Sequence, residues 1–172
     1  MKLLAFLTFV FFVCAPASAQ QLPYPWLELC AKGGAKCERE VSVQDLADLH
    51  RTISTVMQTL GNEDPLDPWT AFPARAADGK IYGDCDDQAA TERAVLIGFG
   101  IDPKAMKFVT GKVREPDGRE VGHIILVVEL DGSPWVLDRR MPEGLYLFGS
   151  KMPGGWKTTA IENHAGAVWL LP

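Results

Sequence analysis

The stretch that most constrains this chain is an apolar hairpin. His123 to Leu130 is almost continuously hydrophobic, Asp131-Gly132 is a two-residue turn signal, and Ser133 to Arg139 reads as the returning strand. Between Ile124 and Val128 both parities are apolar, which predicts a central strand covered on both faces. Such a strand needs neighbours. Lys107 to Val113 is a strand candidate, Glu115-Pro116-Asp117-Gly118 is a turn, and Leu145 to Phe148, Trp156 to Ile161 and Ala167 to Leu171 are weaker strand candidates.

Helical signals lie upstream. Trp26 to Lys36 reads as a short helix or turn. Ser42 with Asp45 resembles a capping box, and Leu46, Leu49, Ile53, Val56 and Leu60 follow at three- and four-residue steps until Gly61-Asn62. Glu63 to Lys80 carries Pro65, Pro68 and Pro73 without a period and reads as a long loop, the kind that often walls a functional cleft. Trp69 in it reads as an anchor pinning the loop to the core, with a cleft wall as the alternative. Gln88 to Phe99 is a further helix. Helices followed by antiparallel strands make an α+β chain.

The first nineteen residues read as a secretory signal. Lys2 is positive, Leu3 to Val13 is an apolar core too short to span a bilayer comfortably, and Ala17-Ser18-Ala19 fits the cleavage site. Residues 20–172 then form one domain, expected in the periplasm or secreted and not inserted in a membrane. With 17 Lys+Arg against 22 Asp+Glu the net charge is −5, and losing Lys2 makes it more negative. No basic stripe offsets this, so nucleic acid is an unsuitable partner.

Export changes the meaning of the cysteines. Cys14 leaves with the signal, and Cys30 and Cys37 flank a short segment containing Gly33-Gly34, which suits a disulfide. A structural zinc site would need more ligands than three cysteines without a nearby histidine. Cys85 is the thiol left over. It sits in Gly83-Asp84-Cys85-Asp86-Asp87, where a loop turns into a helix. The helix N-terminus favours thiolate, whereas the flanking acids oppose it unless a cation sits among them. The plain alternative is a small buried filler beside acids that complement the helix dipole.

A nucleophilic cysteine needs a base, and the base needs an orienting partner. Counting outward from Asp131-Gly132 pairs Leu130 with Ser133 and sets Asp138 opposite Ile125. His123 is then on the same face as Asp138 and diagonal to it, within side-chain reach. A one-residue slip would put the two on opposite faces, and both could equally be polar strand ends. His50, beside the apolar stripe of its helix, reads as a boundary or surface residue, and His164 is a rival base.

The three segments Gly83 to Asp87, Gly122-His123 and Val136-Leu137-Asp138, with Trp26, Cys30, Cys37 and Trp69-Thr70-Ala71-Phe72-Pro73 upstream, resemble the bacterial transglutaminase-like cysteine proteinases, among them the LapG-type periplasmic proteases. The resemblance implies a papain-like or transglutaminase-like fold, with N-terminal helices and the nucleophile helix packed on an antiparallel sheet. It implies a catalytic triad of Cys85, His123 and Asp138. It also implies calcium held by Asp84 and Asp86, with Asp87 as a third ligand; the alternative is that these acids only cap the helix. The implied partners are a protein or peptide substrate of the envelope or cell surface and an inner-membrane regulator. Arg139 stands where the family commonly has Asn, and Gln88 where it has Tyr. Hydrolysis, amine acyl transfer and silent peptide binding all remain compatible with this set of residues.

Overall fold

The computed structural model describes residues 24–32, 37, 39–59, 69–149, 151–162 and 168–170. The signal segment, His164, Leu60 and Gly61-Asn62 lie outside them.

Among the described residues, three α-helices come first. α1 (Tyr24–Ala31) is joined to the chain ahead of α2 by the Cys30–Cys37 disulfide, with Cα atoms 5.4 Å apart. α2 (Val43–Val56) starts with the expected capping box: Asp45 N–H donates to Ser42 Oγ, and Ser42 N–H donates to Asp45 Oδ2 at 2.9 Å. It buries Leu46, Leu49 and Ile53 completely. The helix stops at Val56, earlier than its sequence period suggests. Met57 leaves with extended backbone, and β1 (Met57–Thr59) pairs in parallel with β2 (Ile81–Gly83). A three-residue strand has too few positions to display an alternation, so neither strand was visible in the sequence. α3 (Cys85–Gly98) follows β2 after the single residue Asp84. Gly98 lets α3 lie against α1, since a Cβ there would collide with the Cys30 carbonyl.

The rest is a six-stranded sheet: β3 (Met106–Arg114), β4 (Glu120–Leu130), β5 (Ser133–Leu137), β6 (Tyr146–Leu147), β7 (Lys157–Glu162) and β8 (Val168–Leu170), in the order β6-β5-β4-β3-β7-β8 with antiparallel pairing throughout. The hairpin register is the expected one. Leu130 faces Ser133 and Leu126 faces Leu137, and Asp131 and Gly132 both have positive φ, 52° and 70°, as a type I′ turn demands.

β4 is covered on both faces, as its sequence requires. Leu126 and Val128 join the helix-side core with Leu49, Ile53, Val95, Leu96 and Phe99, while Ile125 and Val127 join a second cluster with Val109, Val136, Tyr146 and Trp156. α3 packs across β4. Burying such side chains is worth roughly 1.5–3 kcal/mol each, so this hairpin is a major source of stability. No helix among the described residues is long and apolar enough to cross a membrane.

Candidate active site

Cys85 is the first residue of α3 and keeps its thiol, since the disulfide joins Cys30 to Cys37. Its place is fixed by what precedes it. A Cβ on Gly83 would stand 2.7 Å from Met57 Sδ and 3.0 Å from the Asp87 side chain, so a larger residue there would have to push both side chains aside. Asp87 holds that turn. Its Oδ1 accepts from Thr70 N–H at 2.8 Å, and its Oδ2 accepts from Asp84 N–H at 3.4 Å. Phe72 N–H donates to Thr91 Oγ1 at 2.9 Å, so Thr70 to Phe72 is strapped along α3 by its backbone. Trp69 is not the buried anchor its size suggested. It is 48% exposed and stands edge-on to Phe108 at 5.3 Å, while the backbone bonds of Thr70 and Phe72 tie this part of the loop to α3.

His123 and Asp138 meet as the register predicts. His123 Nε2 lies 2.7 Å from Asp138 Oδ1, with both residues buried. Asp138 is engaged from two further sides: Arg140 N–H donates to Oδ1 at 2.9 Å, and Tyr146 Oη donates to Oδ2 at 2.7 Å. Burial pushes the Asp138 carboxyl up, but these partners outweigh it and hold it below the ordinary carboxylate range. Burial and the adjacent carboxylate push the Tyr146 hydroxyl up, so it stays a donor. Across β3, His123 faces Gly111, where a register shift toward β7 lets Trp156 lie over the strand. The indole stands edge-on to the His123 ring at 6.1 Å. A Cβ on Gly111 would fall 2.5 Å from that indole.

The two halves of the site are joined by Arg139. Its Nη1 donates to the carbonyls of Gly83 at 2.8 Å and Asp84 at 2.9 Å, and its Nη2 reaches the Met57 carbonyl at 3.4 Å. The residue after Asp138 therefore grips the two residues before Cys85.

The acids divide into two groups. Ligand atoms of Asp84, Cys85 and Asp86 lie within 4.8 Å of one another, and Asp87 stands apart in its capping role. Asp84 Oδ1 is buried and finds no hydrogen-bond partner among the described residues. Asp86 is pushed up to about 7 by burial first, then by its hydrogen bond to Asp84 and the charges of Asp84 and Asp87. The carboxylate oxygens of Asp84 and Asp86 are hard donors of the kind calcium takes, whereas the Cys85 sulfur beside them is not.

His50 departs from its sequence reading. It is fully buried, with Nδ1 2.7 Å from Glu92 Oε1 and Nε2 3.2 Å from the Met141 carbonyl. An ion pair allows a histidine on this helix to face the core. Tyr146 and Trp156 were missed as site residues. Neither shows a local signal, although glycine inside a strand, as at Gly111, marks a close approach.

The family model of the bacterial transglutaminase-like cysteine proteinases matches residues 17–147. Among solved structures, calcium-bound LapG of Legionella pneumophila aligns with a TM-score of 0.56 at 17% identity, over 84% of this chain and 76% of that one. EGTA-treated LapG aligns with a TM-score of 0.54 at 15% identity, over 86% and 75%. No curated protein matches in sequence. The structural likeness shows the fold, helices on an antiparallel sheet as in a transglutaminase-like protease. The chain belongs to the bacterial transglutaminase-like cysteine proteinase family.

Proposed function

We propose that this protein is an exported cysteine endopeptidase in which Cys85 is the nucleophile, His123 the acid–base and Asp138 the residue that orients it. The observation that carries the reading is the 2.7 Å contact between His123 and Asp138 on a strand end held to Gly83 and Asp84 by Arg139. Asp138 occupies Nε2, which leaves Nδ1 to exchange a proton with the thiol.

Cys85 passes its proton to His123, and the sulfur attacks the peptide carbonyl carbon to give a tetrahedral oxyanion. The Cys85 backbone N–H, in the first turn of α3 where amides lack helical partners, is the candidate donor to that oxyanion. His123 then protonates the departing amine and the C–N bond breaks, leaving a thioester. Water, giving a proton to His123, attacks the thioester. The acid product leaves and the thiol is restored. Trp156 and the apolar cluster around it limit water at the His123–Asp138 pair.

Asp84 and Asp86 would hold a calcium ion, with Asp87 left to the helix cap. The ion would neutralise the crowded carboxylates and stiffen the turn that carries Cys85. Residues 1–19 act as the export signal, and the substrate is a protein of the envelope or cell surface, with an inner-membrane regulator as partner. Comparing envelope proteins from cells carrying the wild type and Cys85→Ala tests this directly. New termini confined to the wild type are expected; identical profiles would overturn the protease reading. A labelled amine built into the new C-termini would instead make the activity acyl transfer.

A further inference from the structure

Among the described residues, Arg139 is the side chain that bridges the acid strand and the nucleophile turn. Its guanidinium donates to three carbonyls, those of Gly83, Asp84 and Met57, which belong to two different elements and the cap between β2 and α3. Cys85, Asp84, Asp87 and Glu92 all lie within electrostatic reach of it. A planar fork is well suited to such a task, because several carbonyls can be held in one plane by a single rigid group. The charge matters as much as the geometry. Asp84, Cys85 and Asp86 bring their ligand atoms within 4.8 Å of one another, and the Arg139 cation acts on Asp84 and Cys85 among them, offsetting repulsion in the turn.

Resting on the protease reading above, we propose that Arg139 is a resident cation and positioning residue of the nucleophile turn, which keeps Cys85 placed against the His123–Asp138 pair even when no divalent ion is bound. A metal at Asp84 and Asp86 then adds to an arrangement the chain already holds, instead of creating it.

The test is the rate at which iodoacetamide alkylates Cys85, with Arg139→Met and Arg139→Lys alongside wild type, in EGTA and in calcium. Methionine keeps the unbranched stem but drops charge and donors; lysine keeps charge and some donors. In EGTA the wild type should react within about threefold of its rate in calcium, and Arg139→Met should be slower by about tenfold or more, because the turn that carries Cys85 loses its tethers at the Gly83, Asp84 and Met57 carbonyls. Arg139→Lys should recover most of that loss. Calcium should speed Arg139→Met far more than wild type. A merely structural arginine would not separate Lys from Met at equal melting temperature. Equal rates for Arg139→Met and wild type in EGTA would overturn the proposal. So would a wild type that reacts slowly in EGTA and quickly only with calcium, a comparison that needs no variant to fold. His123→Ala is the control for the underlying reading. If it reacts as fast as wild type, the thiol is not activated by histidine and the protease reading itself fails, whatever Arg139 does.

Discussion

Both oxygens of the Asp138 carboxylate are engaged, Oδ1 by His123 and the Arg140 N–H, Oδ2 by Tyr146. Hydrogen bonds to a charged group are worth roughly 1.5–3 kcal/mol each, so Tyr146→Phe should destabilise the fold by about that much at neutral pH. It should also slow any reaction that depends on His123 orientation, which urea unfolding and thiol alkylation would measure separately. The sign of the pH effect follows from the lowered Asp138 value. Its stabilising contribution is complete above the ordinary carboxylate range, near pH 4, and is lost as pH falls through the depressed native value. Asp138→Asn should therefore flatten the acid limb of a stability–pH curve; an unchanged limb would show that other carboxylates set it. At this scale much was legible. His123 and Asp138 could be paired from a turn and a residue count because register is an integer property. Tyr146 and Trp156 could not, since they reach the site from segments whose course depends on tertiary packing.

Between elements, the buried link from α2 to α3 is the pair His50 and Glu92, helped by Gln88 Nε2 donating to Glu92 Oε1 at 2.9 Å. Burial lowers the His50 pKa, but the Glu92 carboxylate more than reverses this and raises it above its usual value. The contribution is thus fully present below about pH 6.5 and fades as pH climbs through the raised value. His50→Leu should cost roughly 3–5 kcal/mol, because it strands a buried carboxylate, and should remove that alkaline decline. Denaturant titrations between neutral and alkaline pH would check both. Gly111→Ala tests the other seam. Its methyl would press on the Trp156 indole and the Lys157 carbonyl, and overpacking of this sort costs about 1–3 kcal/mol. Easier quenching of the indole by acrylamide should accompany the loss. The start of α2 was readable from Ser42, whose cap is local chemistry, whereas α3 begins at Cys85, ahead of the run read from Gln88. The end of α2 was not readable, because the parallel pairing of Met57 to Thr59 with Ile81 to Gly83 joins residues far apart in sequence and overrides a continuing helical period.

Taken as a whole molecule, the fold sets a helix N-terminus against one end of a two-faced sheet, and each half of the site comes from a separate part of the chain. The hairpin dictates the sheet because its central strand is apolar on both sides. The helix that Cys85 opens follows from a glycine-acid turn that no other part of the sequence repeats. What ties them, Arg139, is a long polar side chain whose reach no periodicity encodes. Outside the site, the Cys30–Cys37 bridge closes a short segment, and replacing both cysteines with serine should cost roughly 2–4 kcal/mol, read as a lower midpoint in urea, without slowing alkylation of Cys85 in the folded protein. The central claim is that His123, braced by Asp138, activates Cys85. The alkylation rate of Cys85 near neutral pH, compared among wild type, His123→Ala and Asp138→Asn, tests it most directly. The account predicts fast reaction in wild type, a rate near that of an ordinary exposed thiol in His123→Ala, and an intermediate or equally slow rate in Asp138→Asn; three equal rates in three folded proteins would contradict it.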